Sequence, residues 1–183
     1  MVDRDGAAAL LKLAREAVAR AASGMAAPAI PGDPVFSLRG GAFVTLKKNG
    51  RLRGCIGSFD GTGSLGATVR AMAGEAAVGD PRFPPVTPEE VDSLDLEISL
   101  LSPMVPASPE EVVPGVHGVY VRRGGRAGTL LPQVATEEGW DRDTLLAHVC
   151  LKAGLPPGAF RDAGTDLFVY TAQVIRETEE REQ

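Results

Sequence analysis

The sequence predicts an α+β fold, in which helices flank a mostly antiparallel sheet. Helical and strand-like stretches follow one another in the order helix, hairpin, helix, strand, hairpin, helices, strand. Most neighbouring strands are joined by tight turns, which favours antiparallel pairing. A chain of 183 residues with 44% hydrophobic and 23% charged residues is also typical of one globular domain, or of a main domain with a small lobe.

An amphipathic helix is predicted at the start of the chain. Residues 5–23 place apolar side chains on one helical stripe and charged side chains largely opposite, and Gly24 is expected to end the helix. A linker rich in proline, glycine and alanine follows over residues 25–34, and Val35 and Phe36 are candidates for the beginning of the sheet. The stripe consists of Leu10, Leu11, Leu13, Ala14, Ala17 and Val18.

A β-hairpin is predicted next. Residues 43–46 and 51–56 have the alternation of strands. Asn49-Gly50 between them favours a tight turn, because this pair adopts positive φ at low cost. The hairpin therefore places residues 53–57 on its second strand.

A second helix is predicted over residues 65–78, with Ser64 or Thr62 as its N-cap and Gly79 at its end. The following segment, residues 80–85, contains three prolines. Because proline fixes its own φ and restricts the residue before it, this segment is expected to form neither a helix nor a central strand.

A half-buried strand is predicted over residues 94–102. Its apolar positions alternate with polar ones, and helical turns are expected to begin at Thr87-Pro88 before it and at Ser108-Pro109 after it. The apolar side carries Leu94, Leu96, Ile98 and Leu100, and the polar side carries Asp95, Glu97 and Ser99.

The second half of the chain predicts a hairpin, two helices and a last strand. Strands over residues 117–123 and 126–131 flank Gly124-Gly125, and Asp141 is expected to cap a helix that runs to Ala153. The remaining predictions are a short helix over 132–138, a final strand over 167–175 and a frayed tail over 177–183. The chain is expected to form a single domain over 1–183, with a division into two subdomains as the alternative.

Net charge and cysteine content narrow the class of protein. The net charge of −5 argues against general nucleic-acid binding, and Arg122, Arg123 and Arg126 fit the solvated tip of a hairpin. Two cysteines are too few for a disulfide framework, so both are expected to be reduced thiols. The sequence has neither a signal-peptide pattern nor an apolar run of 18 residues, so a cytoplasmic protein without a membrane segment is expected.

Cys55 is the strongest candidate for chemistry, because it lies between Gly54 and Ile56-Gly57 and follows Arg53 by two positions. Two residues apart on a strand share a face, so Arg53 is a candidate to favour the thiolate of Cys55. A nucleophilic cysteine needs a base, and His117 is preferred to His148 on grounds of exposure. The competing interpretation is that Cys55 is a small buried side chain where two elements press together.

Other motifs are weaker. The sequence contains no paired Cys/His spacing, so no metal site is expected. The segment 61–64 before the second helix is typical of a capped loop, although a phosphate at a helix N-terminus is an alternative. Asp80, Arg82 and Phe83 lie on a rigid turn, either as an ion pair that holds the turn or as a recognition surface.

Five segments resemble the AMMECR1 domain family, and more narrowly its prokaryotic members called AmmeMemoRadiSam system protein A. They cover nearly the whole chain in order. They are RLRGCIGSF (51–59), DPRFPPVTPEEVDSLDLEISLLSP (80–103), GVHGVYVRRGGRAGTLLPQVA (115–135), EEGWD (137–141) and CLKAGLPP (150–157).

The resemblance implies an α+β fold with a larger sheet-containing lobe and a smaller lobe. It also implies a Memo-like protein and a radical SAM protein as partners, but it assigns no reaction, cofactor or oligomeric state. One hypothesis is a pathway component that acts through a groove around residues 53–57. An alternative is a thiol-dependent enzyme that uses Cys55 on a small metabolite or a modified macromolecule. The candidate catalytic residues are Cys55, Arg53 and His117, and the candidate ligand- or partner-binding residues are Gly54, Gly57, Asp80, Arg82 and Phe83.

Overall fold

The computed structural model describes residues 2–59 and 63–177, and it confirms the α+β class. Its helices are α1 (Arg4–Ala22), α2 (Leu65–Val78), α3 (Pro132–Glu137) and α4 (Arg142–Lys152). Its strands are β1 (Gly41–Lys48), β2 (Arg51–Ser58), β3 (Leu94–Leu101), β4 (Val105–Pro106), β5 (Gly118–Arg123), β6 (Arg126–Leu130), β7 (Asp166–Tyr170) and β8 (Ala172–Arg176).

These elements separate into two compact units. The larger unit contains the chain up to Leu101 and the segment from Gln173, and the smaller unit runs from Ser102 to Ala172. Each unit has its own four-stranded sheet. The strand order is β2-β1-β3-β8 in the first sheet and β4-β7-β5-β6 in the second.

The helices of the first unit cover one face of its sheet. All six residues of the predicted stripe of α1 are buried, and Asp3 caps this helix by accepting the amide N–H of Gly6 at 2.9 Å. The same apolar core contains Ala42, Val44 and Leu46 of β1 together with residues of α2. Burial of these apolar faces is the main favourable term that holds the unit together.

The first hairpin has the predicted turn and one irregularity. Asn49 and Gly50 have φ angles of 52° and 74°, as a tight two-residue turn requires. Leu46 pairs with Gly54, whereas Lys47 pairs with Leu52, so the register shifts between them. Arg53 is therefore an extra residue in β2, which is a β-bulge.

Capping residues begin the helical segments as their sequences predict. Ser64 caps α2 by accepting the amide N–H of Ala67 at 3.2 Å, whereas the alternative cap, Thr62, lies outside the described residues. The prolines after Thr87 and Ser108 begin 3-10 turns over Pro88–Ser93 and Pro109–Glu111. Each of these turns has a capping box, in which a glutamate side chain accepts the N-cap amide.

The second unit packs α4 against its antiparallel sheet. Asp141 caps α4 by accepting the amide N–H of Thr144 at 2.8 Å, as predicted. Buried residues of α4 and β5, among them Leu145, Val149 and Val121, share one apolar core. The tip of the hairpin is Gly124-Gly125, both at positive φ.

Two strand predictions were wrong. Val35 and Phe36 lie in a 3-10 turn, Pro34–Ser37, because Asp33 caps this segment by accepting the amide N–H of Val35 at 2.9 Å. The final strand over 167–175 is two strands in different sheets, β7 and β8, with Thr171 between them. Thr171 leaves the strand path because its N–H and C=O both bond to Ser102, each at 2.9 Å.

The prediction of a half-buried β3 was also incomplete. Leu94, Leu96 and Ile98 are buried, as expected. Glu97 and Ser99 on the opposite face are buried as well, with exposures of 5% and 1%. The first sheet is therefore polar and buried at these positions, on the face opposite α1 and α2. The predicted tail lies outside the described residues from position 178 onward.

Candidate functional site

Cys55 lies on β2, an edge strand of the first sheet. Its cross-strand partner is Thr45, and its side chain shares the sheet face of Thr45. Its neighbours Gly54 and Ile56 point to the opposite face, where Ile56 packs against the apolar core. Cys55 is half buried, so it lies neither in this core nor at a fully exposed position.

A hydroxyl group contacts the thiol directly. Thr45 Oγ1 donates a hydrogen bond to Cys55 Sγ at 3.2 Å, and Thr45 is itself buried. Across the next pair of strands, Thr45 lies opposite Glu97. Cys55, Thr45 and Glu97 thus form one row across β2, β1 and β3. A hydroxyl donor stabilises a thiolate relative to a thiol, because it bonds more strongly to the charged form.

Glu97 is a buried carboxylate with two cationic partners. Its Oε2 accepts hydrogen bonds from Lys47 Nζ at 3.4 Å and from Arg176 Nε at 2.9 Å. A buried charge is tolerated when it is paired and hydrogen-bonded, and this pairing accounts for Glu97 on the polar face. Together with the buried Ser99, these groups make the surroundings of this row polar.

The backbone of Cys55 is held by side chains from the segment after α2. Asp80 Oδ2 accepts the Cys55 amide N–H at 2.8 Å, and Arg82 Nη2 donates to the Cys55 carbonyl oxygen at 3.2 Å. The guanidinium of Arg82 also grips the carboxylate of Asp80, with distances of 2.9 Å from Nε to Oδ1 and 2.6 Å from Nη2 to Oδ2. Asp80 and Arg82 take the place that a neighbouring strand would have at this edge.

The ionisation of this pair follows from its geometry. The hydrogen bond from Arg82 holds the pKa of Asp80 well below its usual range, against the opposing effect of burial, and the amide N–H of Cys55 acts in the same direction as Arg82. The pKa of Arg82 is raised in turn, chiefly by Asp80. Both groups are therefore charged throughout the physiological range of pH.

Arg53 is bonded to the turn rather than to the thiol. Its Nη1 donates to the carbonyl oxygen of Pro84 at 2.9 Å, and its Nη2 donates to that of Pro85 at 3.3 Å and to Glu90 Oε2 at 2.9 Å. The Arg53 bond lowers the pKa of Glu90 to about 2, and a second bond from Lys48 adds to this effect. The role of Arg53 beside the Cys55 thiolate stays a prediction.

The glycines around Cys55 permit close packing within the first unit. A Cβ at Gly54 would collide with the carbonyl oxygen of Ala76 in the last turn of α2, and a Cβ at Gly57 would fall on the ring of Phe43. The close approach to the strand at these positions is thus made by the protein's own helix and side chain. The role of Gly54 and Gly57 in binding a ligand or partner stays a prediction.

The segment from Asp80 to Pro85 presents a mixed surface. The guanidinium of Arg82 lies 5.5 Å from the ring centroid of Phe83, within the range of a cation–π contact. Arg82 is exposed and Phe83 is half buried, and Pro84 and Pro85 are exposed beside them. The ion pair between Asp80 and Arg82 and the exposed surface therefore coexist in one turn.

The two histidines and the second cysteine lie in the second unit. His117 precedes β5, and its Nδ1 accepts the amide N–H of Val113 at 3.2 Å. His148 on α4 stacks on Trp140, with ring centroids 4.0 Å apart and planes at 18°. Cys150 is fully buried, and its burial raises the pKa of its thiol. The role of His117 as an acid–base partner of Cys55 stays a prediction.

The described residues contain neither a grouped set of metal ligands nor a membrane-spanning helix. Within residues 2–59 and 63–177, no three His, Cys, Asp or Glu side chains are grouped so that they could hold a metal ion. Over the same ranges, no helix is long and apolar enough to cross a membrane. In the candidate phosphate segment, Gly61 to Ser64, the residues Gly61 and Thr62 lie outside the described residues, and Ser64 caps α2.

Sequence reasoning missed Thr45, Lys47, Glu97 and Glu90 as parts of this site. Glu97 was placed correctly on the polar side of β3, but a polar position on an alternating strand is ordinarily solvated. Glu97 differs from an ordinary solvated glutamate because two cations, Lys47 and Arg176, bind its carboxylate. Arg176 lies about eighty residues further along the chain. The local sequence pattern therefore identifies the Glu97 side chain but not the residues that bind it.

Known proteins match this chain over nearly its full length. The family model AMMECR1 matches residues 11–175. The chain belongs to the AMMECR1 family. A family relative from Methanothermobacter thermautotrophicus is 44% identical over 185 residues, which cover 96% of each chain. The protein MK0488 of Methanopyrus kandleri is also 44% identical, over 93% of this chain and 87% of its own.

A solved structure of similar fold confirms the architecture of this AMMECR1 family member. The crystal structure of the uncharacterized protein PH0010 from Pyrococcus horikoshii superposes with a TM-score of 0.88 at 36% sequence identity. The match covers 94% of this chain and 92% of PH0010. The α+β class and the family that the sequence predicted are thereby confirmed.

Proposed function

We propose that this AMMECR1 family member is a component of a pathway with a Memo-like protein and a radical SAM protein as partners. We further propose that it acts through an edge surface, which consists of Arg53–Gly57 and Asp80–Pro85. One observation carries this proposal. Two of the family segments, residues 51–59 and 80–103, lie side by side at the edge of the first sheet. The Cys55 amide N–H donates to Asp80, and Arg82 donates to the Cys55 carbonyl oxygen. Arg53 donates to the carbonyl oxygens of Pro84 and Pro85.

The chemistry of the edge surface fits a docking role. Arginine and aromatic residues are enriched at protein interfaces, and Arg82 and Phe83 combine both in adjacent positions. The hydrogen bonds of Arg53 and Asp80 fix the backbone of the turn, so binding orders few additional groups. The edge surface includes Cys55, and a cysteine that stays a reduced thiol is typical of cytoplasmic proteins.

Binding to the two partners tests this proposal. Isothermal titration calorimetry of the purified chain against the Memo-like protein and the radical SAM protein of the same organism is expected to detect a complex with at least one of them. Phe83→Ala and Arg82→Ala are expected to weaken it about tenfold or more, as for central interface residues.

Arg122→Ala is the matched control for Arg82→Ala. The exposed fraction of the side chain is 56% for Arg122 and 53% for Arg82. Each forms an ion pair, Arg122 with Asp166 at 2.8 Å and Arg82 with Asp80 at 2.6 Å. Arg122 lies in the second unit, and its replacement is expected to leave the affinity unchanged. Absence of binding by the unaltered protein, or equal loss in both variants, contradicts the proposal.

A second candidate function is thiol-dependent catalysis by Cys55 on a small metabolite or a modified macromolecule. The observation that favours it is the hydrogen bond from Thr45 Oγ1 to Cys55 Sγ, on a face that also holds Glu97 and Ser99. A cysteine that serves only packing lies among apolar groups, whereas this thiol has a hydroxyl donor. In this candidate Cys55 is the nucleophile and His117 the acid–base group.

Reaction with iodoacetamide tests the second candidate. Cys55 is expected to react in the folded protein at neutral pH. Thr45→Val, which keeps the shape but removes the hydroxyl donor, is expected to slow the reaction about fivefold, since one hydrogen bond contributes about 1 kcal/mol. Reaction of Cys55 only after unfolding rules this candidate out, while calorimetry with the partner proteins remains an independent test of the first.

A further inference from the structure

We infer that Asp80 and Arg82 set the reactivity of the Cys55 thiol with opposite sign: Arg82 favours the thiolate, and Asp80 opposes it. Both act as positioning residues through their bonds to the Cys55 peptide. This inference deepens the thiol-dependent candidate and rests on it, but it is independent of the partner proteins. It assigns to Arg82 the electrostatic role that the sequence suggested for Arg53.

Contacts of the three residues support this assignment. Asp80 is buried, and its carboxylate oxygens are occupied by Arg82 and by the Cys55 amide N–H. Arg82 reaches from Asp80 to the Cys55 carbonyl oxygen. The two charges are thus fixed at the outer edge of the strand, Asp80 at the Cys55 amide N–H and Arg82 at the Cys55 carbonyl oxygen, and neither can move without breaking a bond to the residue that carries the thiol.

Electrostatic coupling between Arg82 and the thiol has a defined direction. The Cys55 thiolate raises the pKa of Arg82, in addition to the larger effects of the hydrogen bond and charge of Asp80. Interaction between two charges is mutual, so the Arg82 guanidinium stabilises the thiolate by the same amount. By the same reasoning the negative charge of Asp80, close to the Cys55 amide, disfavours a second negative charge on Sγ.

Other charged groups around Cys55 are paired with partners of their own. Lys47 of β1 and Arg176 of β8 bond to Glu97 of β3, on the face that Cys55 shares. On its own strand, Arg53 bonds to Glu90. Thr45, the direct neighbour of Sγ, is uncharged. Asp80 and Arg82 differ from all of these because their hydrogen bonds end on the Cys55 backbone.

Two charge-removing variants test the inference. The rate of iodoacetamide labelling at Cys55 is measured between pH 5 and 10 by mass spectrometry of the Cys55 peptide. Arg82→Gln is expected to move the pH midpoint of labelling upward and to lower the rate at pH 7 about threefold, because it leaves Asp80 uncompensated. Asp80→Asn, which still accepts the Cys55 amide, is expected to move the midpoint downward.

The opposite signs separate an electrostatic role from a purely structural one. Loosening of the strand edge would move the labelling midpoints of both variants in the same direction. This result, or the absence of any shift in the midpoint, overturns the inference. Arg82→Lys keeps the positive charge but loses the planar guanidinium, and its labelling midpoint is expected to stay close to that of the wild type. This variant keeps the test decisive if Asp80→Asn does not fold, since Arg82 is exposed and its replacements leave the core unchanged.

Arg51→Gln serves as the control within β2. Arg51 is exposed and pairs with Lys48 at the turn, so its replacement removes a positive charge from the same strand and is expected to leave the labelling midpoint in place. A midpoint that moves equally in Arg51→Gln and Arg82→Gln contradicts the inference but leaves the thiol-dependent candidate intact. Absence of labelling in the folded wild type rules out both.

Discussion

Cys55 and Cys150 are the two cysteines of this AMMECR1 family member, and they differ in burial and in the side chains around them. Cys150 is 0% exposed on α4 and lies among apolar side chains such as Leu146 and Val149. Cys55 is half buried at a sheet edge, with a hydroxyl donor on its sulfur and charged side chains on its backbone. The comparison teaches that incomplete burial together with polar and charged neighbours separates a candidate reactive cysteine from a packing one.

Disruption of the backbone beside each cysteine is expected to have the largest effect. Gly54→Ala places a methyl group on the Ala76 carbonyl oxygen, and we expect it to lower the free energy of unfolding by about 3 kcal/mol. Gly128→Ala near Cys150 meets the Ala153 amide nitrogen at 2.7 Å and is expected to cost about 2 kcal/mol. Urea denaturation measures both.

Gly32→Ala is the control for these two variants. A Cβ at this position meets nothing within 4 Å, and we expect a change within about 0.5 kcal/mol. If Gly54→Ala were as stable as Gly32→Ala, the contact between β2 and α2 would have to be looser than the structure has it.

Alkylation of the folded protein is expected to distinguish the cysteines by about a hundredfold in rate. Cys150 reacts only when the second unit opens, and burial also raises the pKa of its thiol, so less of the reactive thiolate forms. Cys55 is half buried, and it is expected to react without such opening. Peptide mass spectrometry after brief labelling measures the two sites in one sample, and comparable labelling of both would remove the distinction.

Replacement by serine sharpens the same comparison. Cys150→Ser puts a hydroxyl into an apolar core, and we expect a loss of about 1–3 kcal/mol in the free energy of unfolding. Cys55→Ser lies beside Thr45 and the polar face, where a hydroxyl can form hydrogen bonds, and is expected to stay within about 0.5 kcal/mol. Equal losses from the two variants would mean that Cys55 is also a packing residue.

Acidification is expected to have the smallest effect, and it acts through Glu90 in the unit that contains Cys55. The pKa of Glu90 falls from 4.5 to about 2 on folding, because Arg53 and Lys48 bond to its carboxylate. A lowered folded-state pKa stabilises the protein above the unfolded value, so this contribution is complete above pH 4.5 and is lost as the pH falls through about 2.

Glu90→Gln is expected to flatten the dependence of melting temperature on pH between 4.5 and 2, relative to the unaltered protein. Glu110→Gln is the control, since Glu110 carries the same charge on the second unit, and it is expected to follow the wild-type curve. An unchanged slope in Glu90→Gln would show that Arg53 does not depend on Glu90 for its place in the turn.

Local signals predicted much of this fold. The apolar stripe of α1, the turn at Asn49-Gly50 and the cap at Asp141 depend on residues within a few positions of one another, and all three are confirmed. The final strand was predicted as one because its alternation continues through Thr171, whereas its division depends on Ser102, far away in sequence.

The candidate site was predictable only in part: the sequence pointed to Cys55 and the Asp80–Arg82 turn, but not to Thr45, Glu97 or the connections among these groups. The sequence singled out Arg53 and Cys55 as a pair, because alternate residues on a regular strand share a face. In the structure Arg53 is bonded to Pro84, Pro85 and Glu90, more than thirty positions away, and Arg82 reaches the Cys55 peptide instead. Such long-range partners follow from the packing of α2 against β2, which no local pattern reveals.

The extra residue in β2 decides which side of the sheet carries the thiol. Lys48 pairs with Arg51 at the turn, and an unbroken ladder from there would bring Cys55 opposite Val44, on the side buried against the helices. Because Arg53 has no counterpart on β1, the strand beyond it is displaced by one position, and Cys55 faces Thr45 instead. A single inserted residue thus moves the side chain of Cys55 from the apolar face of the sheet to its polar face, where a hydroxyl group contacts the sulfur.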